Sequence, residues 1–260
     1  METAQAMFLS DESDVLVDSV EVDENTFDNI ASSLSKEDRR TYSLMSQSIE
    51  FVDGHYQLSL PWRHDFQVLP NNLKTVEKRL MGLKHRFFKD PEIREKHIEQ
   101  MQIMIEKGYA EKVLEGDIQT RRRAWYITHH GVVNDKKPGK LHVVFDCAPV
   151  HQDMSLNPVL KQVPDLNNRL DGVLLRFRQE SIALIADVEA MFYQIRVCSC
   201  DRDCLRFLWW PNGDLTQKVT PYRMKVHLFG AIPLLAVRPL VCVKPRVILV
   251  ELTNLLLRRQ

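Results

Sequence analysis

The feature that most narrows what this chain can fold into is a change of hydrophobic period along it. Between residues 73 and 105 the apolar side chains recur at helical spacing, and from Trp125 onward they recur at strand spacing. Leu73, Val76, Leu80, Leu83 and Phe87 fall on one stripe behind Asn71, a residue suited to capping a helix. A second helix opens at Asp90-Pro91, with the aspartate as cap and the proline at the first helical position, where a backbone N–H is not needed. Ile93, Ile98, Met101 and Ile105 are its expected buried side, and Gly108 its expected left-handed C-terminal cap.

Trp125 to Val133, the turn-forming string Lys136-Lys137-Pro138-Gly139, and Leu141 to Phe145 together read as a β-hairpin. Asp165 to Arg178 predicts a helix with Leu166, Leu170, Val173, Leu174 and Phe177 as its apolar set, and Ile182 to Val188 a buried strand. Cys204 to Trp210 predicts another strand and Pro211-Asn212-Gly213-Asp214 a turn. Beyond it Tyr222, Met224, Val226 and Leu228 alternate with Arg223, Lys225 and His227. Helices, hairpin, helix, strand and hairpin in that order favour an α+β domain with an antiparallel sheet over a doubly wound one. Ahead of them, Lys36 to Pro70 reads as irregular structure with one or two short strands.

A chain of 260 residues, 44% hydrophobic, is long enough to bury one core or two smaller ones. Its formal charge of zero hides an asymmetry: residues 1–35 hold nine acidic residues and no Lys or Arg, so the remainder carries nine positive charges in excess. The acidic leader predicts disorder, and the basic body behind it suits a nucleic-acid partner. The five cysteines make no regular framework and no signal peptide precedes them, which predicts reduced thiols in an intracellular protein. The cluster Cys198, Cys200, Cys204 lacks the second pair or the histidines of a zinc site and reads as spare cysteines near a strand end. No apolar run reaches the ~18 residues of a membrane span.

The string Ile182-Ala183-Leu184-Ile185-Ala186-Asp187-Val188-Glu189-Ala190-Met191-Phe192 puts a carboxylate at the end of an apolar, strand-like run. At the rim of a sheet such a group can hold a divalent cation, as two-metal phosphoryl transfer requires. On this string alone a turn-capping aspartate is the commoner case.

Six other strings accompany it in order: Trp125 to Val132, Gly139 to Asp146, Ser155-Leu156-Asn157, Gly172 to Arg178, Leu205 to Trp210 and Tyr222 to Ala231. Together with the aspartate string they resemble, over roughly residues 40–231, the reverse transcriptase region of the Pol polyprotein of Pao/BEL-class LTR retrotransposons. The resemblance implies an incomplete right-hand polymerase, fingers plus partial palm, with a preceding helical hairpin. It implies Asp187 as the catalytic, metal-binding aspartate, with the Val188 carbonyl as a second metal ligand and Mg²⁺ as the cofactor. Lys140 and His142 match fingers residues that grip the triphosphate of an incoming dNTP. Met191 matches the residue under the nucleotide sugar, with Phe192 behind it. Phe229 and Gly230 match the palm turn against the template base. The implied partners are an RNA or DNA primer-template and a dNTP, with no membrane.

Three departures stand out. His142 replaces an arginine, and an imidazole is not a planar, permanently charged fork. Thr128 replaces a proline. After Ala231 the chain reads Ile232-Pro233-Leu234-Leu235 in place of a Ser-Ser-Pro-like segment, and residues 215–260 contain no Asp, so no Tyr-x-Asp-Asp string follows.

The expected organisation is an acidic leader at 1–35, a connecting region with the helical hairpin at 36–110, partial fingers and palm at 111–231, and a divergent tail at 232–260. That tail reads as a shifted frame or an alternative exon. The expected function is that of a truncated reverse transcriptase fragment without activity; the alternative is a non-catalytic nucleic-acid-binding module of the same origin. A palm lacking neighbouring strands is expected to leave Trp209 and Trp210 uncovered.

Overall fold

The computed structural model describes residues 34–63, 69–114, 116, 124–133, 140–162, 170–179 and 190–228. The chain divides into two units, the larger comprising Thr41–Val163 and Phe192–Leu234 and the smaller Met1–Arg40, Pro164–Met191 and Leu235–Gln260. In chain order the elements are α1 (Lys36–Gln47), β1 (Glu50–Val52), β2 (His55–Leu58), α2 (Leu73–Lys89), α3 (Pro91–Glu106), β3 (Ala110–Lys112), β4 (Thr128–Val133), β5 (Leu141–Asp146), α4 (Leu156–Val159), α5 (Leu170–Arg176), β6 (Ile195–Val197), β7 (Arg206–Trp209) and β8 (Thr220–Met224). Short 3-10 turns stand at Met191–Gln194, Arg202–Leu205 and Pro211–Gly213. The mixture of helices and small sheets is α+β. No helix among the described residues is long and apolar enough to cross a membrane.

Helix α1 corrects the expectation of irregular structure after Lys36. Ser35 caps its start: the Asp38 amide donates to Ser35 Oγ at 3.1 Å, and Ser35 Oγ donates to the Asp38 carboxylate at 2.7 Å. Helix α2 buries Val76, Leu80, Leu83 and Phe87 as its stripe predicts, with Leu73 half-buried. Asn71 Oδ1 accepts from the Leu73 amide at 3.0 Å. Asn72 is spent elsewhere: its side chain donates to the Tyr126 carbonyl at 2.7 Å and accepts from the Tyr126 amide at 2.9 Å, tying the helix start to the sheet. Helix α3 opens as expected, with the Asp90 carboxylate accepting from the Ile93 amide at 3.0 Å and Pro91 beside it. Gly108 follows its end at φ 72°.

The buried face of α3 differs from expectation. His97, Met101 and Met104 are buried, while Ile93, Ile98 and Ile105 pack only partly against the core. The helix is turned because the His97 ring stacks on Trp209 and shares a hydrogen bond with His129.

Strands β4 and β5 pair antiparallel from Thr128↔Asp146 to Val133↔Leu141. The segment Trp125–Ile127, expected as the start of β4, instead runs parallel to β7: the Arg206 amide donates to the Trp125 carbonyl and the Ile127 amide to the Arg206 carbonyl. Strands β3, β8 and β7 form one antiparallel sheet in that order, and β1, β2 and β6 another. In the second, β2 and β6 are parallel, Tyr56 opposite Ile195, whereas the antiparallel pairing expected is that of β3, β8 and β7 and of β4 with β5. The chain continuing from β8 reaches β6 through an antiparallel bridge between Val226 and Arg196. Past it, the expected alternation ends at His227, which is buried like its neighbours. The strand expected at Ile182 to Val188 and the turn at 136–139 lie outside the described residues.

Trp209 and Trp210 are each 1% exposed, which overturns the expectation that they lie uncovered. Trp209 packs against His97, His129 and the edge of Phe87, and Lys84 lies over the Trp210 ring. The α2–α3 hairpin therefore does the covering assigned to missing palm strands. In the smaller unit, helix α5 exposes Leu170, Val173, Leu174 and Leu175, and Phe177 just past its end is exposed as well. Of the apolar set expected there, Leu166 lies outside the described residues.

The turn after β7 fixes α3 in place. Asn212 and Gly213 have φ 55° and 72°, and a Cβ at Gly213 would collide with Ile98 Cγ2 of α3. Gly213→Ala is therefore expected to cost about 1–2 kcal/mol, from left-handed backbone and overpacking combined. Urea denaturation checks it; a neutral result would mean that the turn moves freely away from α3.

Candidate functional site

Alternation along β5 buries Leu141 and Phe145 and leaves His142 exposed, directly across from Val132. This strand borders a cavity of about 300 Å³ lined by His142, Val143, Val144, Phe145, Tyr193 and Leu228. Its volume is at the small end of ligand pockets. Three distant stretches of chain reach it, and β6 holds two of them together. The His227 amide donates to the Ile195 carbonyl at 2.9 Å and the Val197 amide to the Lys225 carbonyl at 2.8 Å, so Tyr193 before β6 and Leu228 after β8 end side by side. Tyr193 packs on Tyr109 with ring centroids 4.8 Å apart. Burial, helped by Tyr109, raises the pKa of its hydroxyl, which keeps a neutral phenol at the cavity wall.

Of the residues that the sequence nominates, His142 lines this cavity. Lys140 is exposed immediately before β5 and is not part of the lining. Met191 and Phe192 open the 3-10 turn that ends with Tyr193 and Gln194. Asp187, Val188, Phe229 and Gly230 lie outside the described residues. His142 to Phe145 belong to the Gly139–Asp146 string and Leu228 to the Tyr222–Ala231 string, so two of the sequence strings meet at this cavity, with Tyr193 directly after a third in sequence.

The described lining does not fit a magnesium ion. It offers an imidazole and a phenol but no carboxylate, whereas magnesium favours carboxylates and phosphates. Among the described residues no group of three or more His, Cys, Asp or Glu stands together as a metal set. The cavity's own groups can donate and accept hydrogen bonds and present apolar surface to a ring.

A second feature lies on α2. Lys74, Lys78, Arg79, Arg86 and Lys89 are all exposed on it, with Glu77 as its one exposed acid. Lys84 is drawn away from this face, donating to the Leu215 carbonyl at 2.7 Å. At ~1.5 Å per residue, the cations form a row tens of ångströms long. The Arg121-Arg122-Arg123 triplet lies outside the described residues.

Sequence reasoning missed Tyr193, whose only signal is its place directly after Phe192. It also missed the histidine pair, since a histidine at a core position of a helix looks like surface. Comparison with protein-family models and with curated proteins returns no match.

Proposed function

We propose that this chain carries the fingers and part of the palm of a retrotransposon reverse transcriptase of the Pao/BEL type, and that the 260-residue chain alone does not polymerise. The observation that carries this reading is that the Gly139–Asp146 string, through His142 to Phe145, and the Tyr222–Ala231 string, through Leu228, meet at one cavity together with Tyr193. The dNTP would lie against His142 with Lys140 near its phosphates, and Mg²⁺ would need Asp187 and Val188. With no Tyr-x-Asp-Asp string, the carboxylate set of a two-metal clamp is incomplete in this chain.

Primer extension on RNA and DNA templates with Mg²⁺ or Mn²⁺ is expected to give no product above background. Incorporation abolished by Asp187→Ala would show that other carboxylates complete the site. Nucleotide binding tests the cavity itself. A charge-assisted hydrogen bond contributes about 1.5–3 kcal/mol, so His142→Arg is expected to tighten dNTP binding by about tenfold or more. Lys140→Ala is expected to weaken it. If neither variant moves the affinity, the cavity is not a nucleotide site and this reading falls.

The basic face of α2 favours a second reading, a nucleic-acid-binding module without chemistry. Its signature is affinity that falls steeply with salt and a slope that flattens when Lys78, Arg79 and Arg86 are replaced by glutamine. Retained primer-template binding by these variants would count against it.

A further inference from the structure

Cys198 and Cys200 stand apart from the cavity on the turn that follows β6. Their sulfurs are 2.7 Å apart, aimed at each other and closer than two thiols in ordinary contact. Cys198 is half-buried and Cys200 exposed, whereas Cys147 and Cys204 are buried. The turn is pinned at both ends. The Cys198 amide donates to the Leu58 carbonyl at 3.0 Å, and the Asp201 amide donates to the Cys198 carbonyl at 2.9 Å. The Asp201 carboxylate accepts from the Leu60 amide and from Trp62 Nε1, each at 2.8 Å. The two sulfurs are thus held together by the backbone frame, and forming a bond between them needs little further ordering.

We propose that Cys198 and Cys200 form a thiol–disulfide exchange site whose substrate is a low-molecular-weight disulfide of the glutathione class. The Cys198 thiolate attacks one sulfur of the small disulfide; that S–S bond breaks, a mixed disulfide forms on Cys198, and the first thiol leaves, taking up a proton. Cys200 then gives up its proton and attacks the Cys198 sulfur, closing the Cys198–Cys200 bond and releasing the second thiol. The protein pair loses two electrons and two protons, and the small disulfide gains them.

The division of roles follows from the surroundings. The Cys200 sulfur is turned toward Cys198 and Ser59, and its pKa is pushed up to about 12 by burial, by its bond to Cys198 and by the charge of Asp201. Cys147, pushed up to about 12 by burial and by Asp146, stays an inert thiol and serves as an internal control.

The test uses the full chain treated with oxidised glutathione at neutral pH, quenched by alkylation and read by intact and peptide mass. The expected product is two hydrogens lighter, unalkylated at Cys198 and Cys200 and still alkylatable at Cys147 after unfolding. Cys200→Ser is expected to stop at a glutathione adduct on Cys198, and Cys198→Ser to react about tenfold or more slowly. Both cysteines remaining alkylatable in the wild type would overturn the proposal. So would a disulfide between two copies of the chain, or equal rates of thiol loss in both serine variants.

Discussion

Lowering the pH from 7 to about 4 is expected to unfold this chain through three buried histidines. The Leu208 carbonyl lies 3.1 Å from His129 Nε2, which must donate to it, so His129 Nδ1 is an acceptor and His97 Nε2, 3.1 Å away, donates to that atom. Both rings are then neutral, and His97 Nδ1 is buried with no hydrogen-bond partner to receive a proton's charge. Around them stand Phe87, Phe145, Phe207 and Trp209.

Burial is the first cause that lowers His97 to about 3 and His129 to about 4, with repulsion from neighbouring imidazoles adding to it. Burial likewise lowers His227 to about 4, against a bond to the Leu58 backbone that opposes the shift. Because the folded values lie below the ordinary 6.5, the unfolded chain binds more protons between pH 6.5 and about 4. Stability is therefore complete above 6.5 and falls as the pH drops through that window.

Each shift to about 4 corresponds to roughly 3 kcal/mol, a large share of the 5–15 kcal/mol of a typical domain. Urea unfolding followed by tryptophan fluorescence should show an uptake of about three protons on unfolding near pH 5.5, above the range in which carboxylates titrate. His227→Leu should reduce that uptake by one. A stability that stays flat from pH 7 to 5 would contradict the neutral-pair account.

Asp203→Ala is expected to cost about 3–5 kcal/mol. In the β7–β8 ladder Arg206 lies directly opposite Arg223, a pairing of like charges that by itself disfavours the hairpin. Asp203 resolves it. One carboxylate oxygen, Oδ1, accepts from Arg206 Nε at 3.0 Å and from Arg223 at 3.1 Å, and the second Arg206 contact is 2.9 Å. Glu111 of β3 takes the Arg223 Nε at 2.7 Å, so the charge chain crosses all three strands of that sheet. Arg206 is fully buried, and removing Asp203 takes away the contacts at 3.0 and 2.9 Å that offset its charge beside Arg223. Replacing both members, Asp203→Ala with Arg206→Leu, should restore much of the loss, because the desolvation cost disappears with the charge. Denaturation of the two single variants and the double variant gives the coupling; a single-variant loss under about 1 kcal/mol would show that water reaches Arg206.

Where local rules are strong, the sequence was readable. Asp90-Pro91, Gly108 and the stripe from Val76 to Phe87 appear in the structure as read, because caps and amphipathic spacing act within one turn of helix. The Ser35 cap was equally local and was overlooked because few apolar residues follow it. Other features depend on partners far away in the chain. The parallel pairing of β2 with β6 joins strands of four and three residues, too short for periodicity to reveal their mates. His97 is a core residue only because His129 and Trp209 meet it, and Trp209 is covered only because α3 crosses it. The same holds for the cavity: His142 was legible from its string, whereas Tyr193 joins it through the β6 frame.

The parallel pairing also sets an order of events during synthesis. The contact between His55 and Gln194 beside the β2–β6 pair links residues 139 apart, so β2 leaves the ribosome long before its partner exists. At ~5–20 residues per second the wait is on the order of ten seconds, far longer than hairpin formation between β1 and β2. During that interval the nascent hairpin holds one edge of β2 while the other remains an open template. Factors that bind nascent chains, or slow translation between residues 60 and 195, would act on this edge.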